Sequence, residues 1–229
     1  MANVAHEARQ RIYEQFARIG RALSAPGRLE LLDLLSQGER PVDALASLTD
    51  QSVANASAHL QVLHAAHLVA QRREGKRVFY TLADASVLRL WHALRATAER
   101  QLAELEHVAR AYLEGRDAFK PMSRDELLER MKDGTATLID VRPAEEFRQG
   151  HLPGAVSVPL EDVERWAKTA KTSKRKRVVA YCRGPYCVYA IQAVAKLNRR
   201  GIAATRIEDG VAEWRAAGLA VAVTEEHAS

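Results

Sequence analysis

The chain has 229 residues and a formal net charge of +5; 47% of its residues are hydrophobic and 28% are charged. This composition excludes a disordered or collagen-like chain and is typical of a folded protein with one or two domains. The polar start of the sequence has no apolar signal core, and no run reaches the roughly 18 apolar residues of a membrane span, so we expect a cytoplasmic protein that does not contact a membrane.

Helical patterns fill the first half of the chain. Apolar periodicity predicts helices over residues 4–19, 25–38, 41–48 and 52–68. The segment 68–82 then changes to two short β-type runs around a Glu-Gly-Lys turn, which predicts a hairpin. One long helix is predicted from Asp84 to Gly115. A partner helix from a second copy of the chain would cover so long an apolar face.

Strand and helix patterns alternate in the second half. Short apolar strands are predicted over 137–141 and 178–181, and helices over 188–200 and 211–217. Such alternation indicates an α/β domain with a largely parallel sheet.

The order helix, turn, helix and basic hairpin is typical of a winged helix-turn-helix, whose second helix lies in the major groove of DNA. Polar residues at the start of the 52–68 helix suit base edges, and basic residues of the hairpin suit phosphates or the minor groove. The candidate DNA contacts are Gln51, Ser52, Asn55, Ser57, His59, Arg72, Arg73, Lys76 and Arg77. The composition leaves open the alternative that these side chains are merely solvated.

Both cysteines of the chain, Cys182 and Cys187, lie in one short stretch, VVAYCRGPYCVYA. Four explanations compete: a metal site, a disulfide, two buried thiols, or a nucleophile with a companion. A structural zinc site needs four ligands, and the sequence has no second cysteine pair to supply them. The Cys-x-x-Cys spacing of redox motifs is also absent. Cys182 lies between a strand and a helix start, where the helix dipole and Arg183 lower the pKa of a thiol. A nucleophilic Cys182 is therefore favoured, and an inert buried thiol stays open.

The segment SVANASAHLQVLHAAHLVAQRREGKRVFYTL resembles the helix-turn-helix and wing of the ArsR/SmtB family of small repressors. The resemblance covers residues 8–110 and rests on Ser-x-His-Leu at 57–60, Leu-x-x-Ala at 63–66 and the Arg-Arg-Glu-Gly-Lys wing. It implies a homodimer that binds an imperfect palindrome in double-stranded DNA. His67 stands where the family usually has glycine, and histidine tolerates the left-handed conformation better than most residues. The helix before the recognition helix lacks the metal-sensing cysteines of many members, so we expect no metal site.

Residues 122–220 resemble a single rhodanese domain. The opening motif LIDVRPAEEFRQGHLPGAVSVPL and the closing motif IEDGVAEWRAAGLAV flank the cysteine stretch, and the closing motif starts Asp-Gly where the family usually has Gly-Gly. The resemblance implies sulfur transfer, in which Cys182 takes a sulfane sulfur from thiosulfate or a persulfide and holds it as a persulfide. A loop of six residues, CRGPYC, goes with sulfur rather than phosphate or arsenate in this superfamily.

The residues that the rhodanese resemblance implies for catalysis need no bound cofactor. They are Cys182, Arg183, Cys187, Asp140 and Arg142. Asp140 and Arg142 are expected to brace the domain, and a direct role for Arg142 stays open. Cys187 is either a thiol that resolves the persulfide of Cys182 or a small residue that packs the first helical turn.

The chain is therefore expected to have two domains, a mainly α winged helix-turn-helix over 1–113 and an α/β rhodanese-like domain over 122–229, joined by a linker over 114–121. The first hypothesis is a sulfur-responsive transcriptional regulator, a repressor by family resemblance, in which the linker transmits persulfidation of Cys182 to the DNA-binding dimer. A second is a working sulfurtransferase whose DNA-binding module serves autoregulation or tethering. A third makes the rhodanese domain a passive extension of the dimer.

Overall fold

The computed structural model describes residues 2–113, 120–170 and 176–224. The chain divides into two compact units, Met1–Trp91 and His92–Ser229. The domain bounds expected from the sequence stay a prediction, and residues 114–119 of the expected linker lie outside the described residues.

Four helices build most of the first unit. They are α1 (Ala2–Leu23), α2 (Pro26–Ser36), α3 (Val42–Leu48) and α4 (Val53–Ala65). Leu31, Leu45 and Leu60 come from α2, α3 and α4 and are fully buried in one apolar cluster. The helical spacing of such residues is what places them on one face of each helix. All four predicted helices are confirmed.

Local chemistry sets both ends of α4, the predicted recognition helix. The Ser52 hydroxyl accepts a hydrogen bond from the backbone N–H of Asn55 at 3.1 Å and caps the start of the helix. His67 has a φ of +58°, so the chain leaves the helix through the left-handed conformation expected there. The helix ends at Ala65, earlier than predicted, because Val69 already belongs to the next strand.

A small antiparallel sheet completes the first unit. Its strands are β1 (Arg40–Pro41), β2 (Val69–Glu74) and β3 (Arg77–Leu82), in the order β1-β3-β2. Gly75 at the hairpin turn has a φ of +58°, a conformation that glycine adopts without strain. Tyr80 is buried against the helices, whereas β2 is exposed beyond Val69. The predicted wing is confirmed, with its basic side chains facing outward.

The prediction of one long helix from Asp84 to Gly115 is wrong, because the helix is interrupted. The structure has two helices, α5 (Ala85–Gln101) and α6 (Ala103–Leu113), with Leu102 between them. The Asp84 carboxylate accepts the backbone N–H of Ser86 at 2.6 Å, as expected of a residue that caps a helix start. The first unit ends at Trp91 within α5, so the rest of α5 belongs to the second unit.

A parallel sheet with helices forms the body of the second unit. The strands are β4 (Ala136–Asp140), β5 (Val156–Ser157), β6 (Arg177–Tyr181) and β7 (Ala204–Arg206), in the order β5-β4-β6-β7. The helices that follow α6 are α7 (Arg124–Lys132), α8 (Ala144–Gln149), α9 (Val163–Thr169), α10 (Val188–Arg199) and α11 (Val211–Ala216). Every strand pair is parallel, so the predicted α/β class is confirmed.

The central strand β6 decides where the first cysteine points. Val178 and Ala180 pack in one apolar cluster, and Val179 and Tyr181 pack in a second cluster. Successive side chains of a strand point to opposite faces, and Cys182 continues the first set. Its thiol therefore lies on the face covered by α10.

None of the helices in the described part of the chain is long and apolar enough to cross a membrane.

Candidate functional site

The loop from Cys182 to Cys187, here called the cysteine loop, leaves the carboxyl end of β6 and leads into α10. Cys187 is the N-cap residue of α10. Gly210 packs against the loop backbone so closely that a Cβ there would lie 2.6 Å from the carbonyl oxygen of Cys182. Only glycine fits this contact, which explains why the second residue of the Asp-Gly pair is the one retained from the usual Gly-Gly motif.

Its two thiols face each other. Cys182 is 2% exposed and Cys187 is partly exposed. The Cys182 thiol donates to the carbonyl oxygen of Cys187 at 3.2 Å and is in hydrogen-bonding contact with the Cys187 sulfur. No disulfide joins them. The loop therefore brings together the two cysteines that the sequence singled out.

Ionisation of this pair differs from the expectation. Burial raises the pKa of Cys182, and its contact with Cys187 adds to the rise. The hydrogen bond from Cys182 lowers the pKa of Cys187 to about 6, with further help from backbone N–H groups and the charge of Arg183. Helix dipole and Arg183 thus favour a thiolate, but they act on the second cysteine. The pair holds one proton near neutral pH, and Cys187 is placed to accept it when Cys182 attacks.

Alkylation of Cys187 tests this assignment. In the reduced protein we expect iodoacetamide to modify Cys187 with a half-maximal rate near pH 6, because the pKa of its thiol is lowered to about 6 and only the thiolate reacts. Peptide mass spectrometry at a series of pH values gives the rate. The same peptide in urea-unfolded protein serves as the control and should titrate near pH ~8.5. Equal midpoints in both samples would contradict the assignment.

A chain of buried charges supports the loop from below. Arg142 is fully buried and pairs with Asp140 through a 2.6 Å contact, and it donates to the carbonyl oxygen of Gly150 at 2.7 Å. Glu146, one turn along, lies 4.0 Å from Arg142 and binds Arg183 of the cysteine loop at 2.5 Å. Both expected bracing residues therefore pair with each other, and they reach the loop through Glu146.

Sequence reasoning did not assign a role to Glu146, although it lies within the opening motif. The signal that was available is its i, i+4 spacing from Arg142, since residues four apart are neighbours on a helix. Glu146 is 1% exposed, and buried carboxylates are retained where they have partners.

A second set of charged contacts lies on the other side of the loop, and all its members belong to the second unit. Arg95 of α5 pairs with Glu213 of α11 at 2.8 Å. The other carboxylate oxygen of Glu213 accepts the backbone N–H of Gly210 at 2.8 Å. The Tyr186 hydroxyl of the cysteine loop donates to Glu99 of α5 at 2.9 Å. The His92–Gln101 part of α5 is thus bound to the cysteine loop through Glu99 and to α11 through Arg95, which no sequence pattern indicated.

The predicted base-reading residues lie at the start of α4. Ser52, Asn55 and Gln51 form a small hydrogen-bonded group, in which the Asn55 amide donates to Gln51 at 2.9 Å and Ser52 caps the helix. Ser57 and His59 are half-buried on the same helix. The five residues thus extend from just before α4 to the middle of that helix, and their contact with DNA stays a prediction.

The four basic residues of the wing do not share one environment. Arg72 forms a two-point ion pair with Glu39, at 2.7 and 2.6 Å, and lies 4.4 Å from the ring centre of Phe79. Its guanidinium therefore ties β2 to the segment before β1. Arg73, Lys76 and Arg77 are exposed and make no ion pair among the described residues. They are the wing residues best placed for phosphate.

Two family models match the chain. Residues 25–71 match the model described as bacterial regulatory protein, arsR family. Residues 123–217 match the rhodanese-like domain. The two matches do not overlap, and they cover the recognition helix and the cysteine loop respectively.

Curated relatives and solved structures match the same parts. The HTH-type transcriptional regulator Rv0324 of Mycobacterium tuberculosis is 41% identical over 210 residues, which is 92% of this chain and 91% of that protein. Thiosulfate sulfurtransferase PspE of Escherichia coli is 41% identical over 44 residues, 19% of this chain and 42% of that protein. The homodimeric winged helix-turn-helix domain of Mb0332 from Mycobacterium bovis is 42% identical, with a TM-score of 0.40, and covers 42% of this chain and 88% of that one.

Proposed function

Because the chain belongs to the ArsR family of bacterial regulatory proteins and carries a rhodanese-like domain, we propose that it is a repressor whose affinity for DNA responds to persulfidation of Cys182. Two contacts of α5 carry the proposal. Glu99 accepts the hydroxyl of Tyr186 in the cysteine loop, and Arg95 pairs with Glu213 of α11, which binds Gly210 beside the loop. A helix bound to a reactive loop changes its contacts when the loop changes, and this is the physical requirement for a sensor.

The sulfur chemistry starts at Cys182. Its thiolate attacks the outer sulfur of a donor such as thiosulfate or a persulfide, and the proton of the thiol passes to Cys187. Backbone N–H groups of Gly184 and Ala190 act on the Cys182 sulfur and stabilise negative charge there.

DNA binding falls to a homodimer on an imperfect palindrome. Large apolar side chains are left exposed on α1, where Ile12 is 55% and Phe16 is 65% exposed, and on α5, at Leu90 and Leu94. Exposed apolar positions repeated along two helices fit a helical dimer interface. Two symmetric copies then place two α4 helices on two half-sites.

The path from loop to dimer runs along α5. Arg95 and Glu99, which contact the loop side, are on the same helix as Leu90 and Leu94. The sequence suggested the linker over 114–121 for this task, but residues 114–119 lie outside the described residues. The contacts of the described residues favour α5, because Arg95 and Glu99 belong to the same helix as Leu90 and Leu94.

A working sulfurtransferase is the second candidate. The match to PspE and the six-residue length of the cysteine loop favour it. Turnover separates the candidates: an enzyme transfers sulfur from thiosulfate to cyanide at a high rate with no change in DNA affinity, whereas a sensor turns over slowly and changes its affinity.

Fluorescence anisotropy tests the proposal on DNA from upstream of the gene for this chain. We expect reduced protein to bind tightly and polysulfide-treated protein to bind about 5- to 150-fold more weakly, the range of typical allosteric couplings. Salt concentration is held constant because phosphate contacts make affinity salt-dependent.

Cys182→Ser is the matched control, since serine keeps the size of the side chain and cannot form a persulfide. It should bind this DNA with the affinity of the reduced protein before and after treatment. Unchanged affinity of the treated wild type would reject the sensor and leave the sulfurtransferase.

A further inference from the structure

We infer that Cys187 attacks the persulfide of Cys182, so that the cysteine loop releases sulfide and closes an internal disulfide. The inference rests on the proposed persulfidation of Cys182. It adds a reductive activity toward sulfane sulfur and makes a disulfide, rather than a persulfide, the lasting product of the loop.

The position of the two sulfurs selects which atom is attacked. In a persulfide of Cys182 the inner sulfur is the Sγ atom of that residue, and this atom lies 3.2 Å from the carbonyl oxygen of Cys187. The hydrogen bond of Cys182 to the carbonyl oxygen of Cys187, at 3.2 Å, holds its side chain toward that residue. The outer sulfur extends one bond further away from Cys182. Attack by Cys187 on the inner sulfur therefore needs little movement of the loop.

Electrostatics prepares Cys187 for the role of nucleophile. The charge of Arg183 and the N–H groups of Arg183 and Tyr189 stabilise its thiolate. Arg183 is itself fixed by Glu146 at 2.5 Å. These groups favour a nucleophilic Cys187 over a residue that only packs the first turn of α10, because packing does not require a stabilised thiolate.

The reaction balances without an external oxidant. In the first step the Cys182 thiolate attacks the outer sulfur of thiosulfate, and sulfite leaves with the electron pair of the broken S–S bond. In the second step the proton that Cys187 took from Cys182 passes to the outer sulfur, the resulting Cys187 thiolate forms a bond to Sγ of Cys182, the bond from that Sγ to the outer sulfur breaks, and hydrosulfide leaves. The two cysteines are oxidised to a disulfide and the sulfane sulfur is reduced to sulfide. Hydrosulfide is a good leaving group because its conjugate acid is a stronger acid than an ordinary thiol.

Intact-mass spectrometry under anaerobic conditions tests the inference. Reduced wild type, Cys187→Ser and Cys182→Ser are each treated with thiosulfate, and in parallel with cysteine persulfide, then quenched with an alkylating agent. We expect wild type to lose about 2 Da and resist alkylation at both cysteines. Cys187→Ser should gain about 32 Da as a stable persulfide before alkylation, and Cys182→Ser should gain no sulfur.

Product counts supply a second readout that needs no variant. In the thiosulfate samples we expect one sulfite and one sulfide released per disulfide formed, whereas accidental oxidation of the thiols releases neither. A wild type that keeps the added sulfur with Cys187 free to be alkylated overturns the inference and leaves persulfidation of Cys182 intact. Absence of added sulfur on Cys187→Ser, together with unmodified wild type, from both donors overturns the persulfidation itself. If Cys187→Ser does not fold, the sulfite and sulfide counts of wild type decide the matter.

Discussion

Replacing Glu146 with glutamine is expected to lower the unfolding free energy by about 3 kcal/mol, the scale on which removal of one partner destabilises a buried ion pair. Glu146 is 1% exposed and faces two guanidinium groups, those of Arg142 and Arg183. Glutamine keeps the shape and one acceptor oxygen but leaves both cations without this negative charge. Arg142 retains Asp140, so Arg183 bears most of the loss.

Loss of order in the loop follows from the same change. Arg183 belongs to the cysteine loop, and Glu146 is the ion-pair partner that holds it against α8. A reacting group displaced by about 1 Å can cost ~10²-fold in rate, so we expect sulfur transfer to fall by about that factor.

Urea unfolding and a thiosulfate:cyanide assay measure the two effects of Glu146→Gln. A loss of about 3 kcal/mol corresponds to a melting temperature lower by roughly 10 °C in a unit of this size. Glu145→Gln is the matched control, because Glu145 precedes Glu146 in α8 and is exposed. The role assigned to Glu146 does not survive if both variants unfold at the same urea concentration as wild type.

The fold was accessible from sequence because local and tertiary preferences agree in most elements. Leu31, Leu45 and Leu60 of α2, α3 and α4 are fully buried at helical spacing, and the strands β4 and β6 are apolar runs of the length that buried parallel strands require. The hairpin turn at Gly75 needs the positive φ that its glycine provides. In these places the residue types leave few alternatives.

The break between α5 and α6 shows the limit of such reasoning. No glycine or proline stands near Leu102, and the flanking residues are ordinary helix formers. Helix propensity gives no reason to stop there, and the Leu102 N–H still donates to the carbonyl oxygen of Ala98 at 2.9 Å, so the interruption is local.

The ionisation of the thiols was beyond sequence for a similar reason. A helix start and a nearby arginine correctly predict a stabilised thiolate in the cysteine loop. Which cysteine carries it depends on burial, and burial raises the pKa of Cys182 while a donated hydrogen bond lowers that of Cys187. Both depend on how the folded loop packs in its apolar cluster, and spacing in the sequence does not encode them.

Arg95→Gln is expected to separate the two halves of the proposed function. Arg95 pairs with Glu213 of α11, which lies beside the cysteine loop. Arg95 also lies 3.6 Å from Glu99, which accepts the hydroxyl of Tyr186 in the loop. Glutamine keeps a donor for Glu213 but removes the charge that binds Glu213 to α5 and that lies beside Glu99. We expect Cys182 to accept sulfur as before, while the change of DNA affinity on treatment falls from about 5- to 150-fold to near unity.

Anisotropy and intact mass are measured on the same treated samples. Anisotropy gives the DNA affinity, and intact mass gives the modification of the cysteines. Arg100→Ala is the matched control: Arg100 is exposed on the same helix and makes no ion pair among the described residues, so its response should equal that of wild type. A full DNA response in Arg95→Gln would exclude this part of α5 as the path. A variant that takes up sulfur and keeps one DNA affinity would locate the coupling in the charges of Arg95, because nothing at Cys182 was changed. The same result would separate sulfur chemistry at Cys182 from the change of DNA affinity. The loop would still react with sulfur, but α5 would no longer transmit the reaction to the DNA-binding dimer.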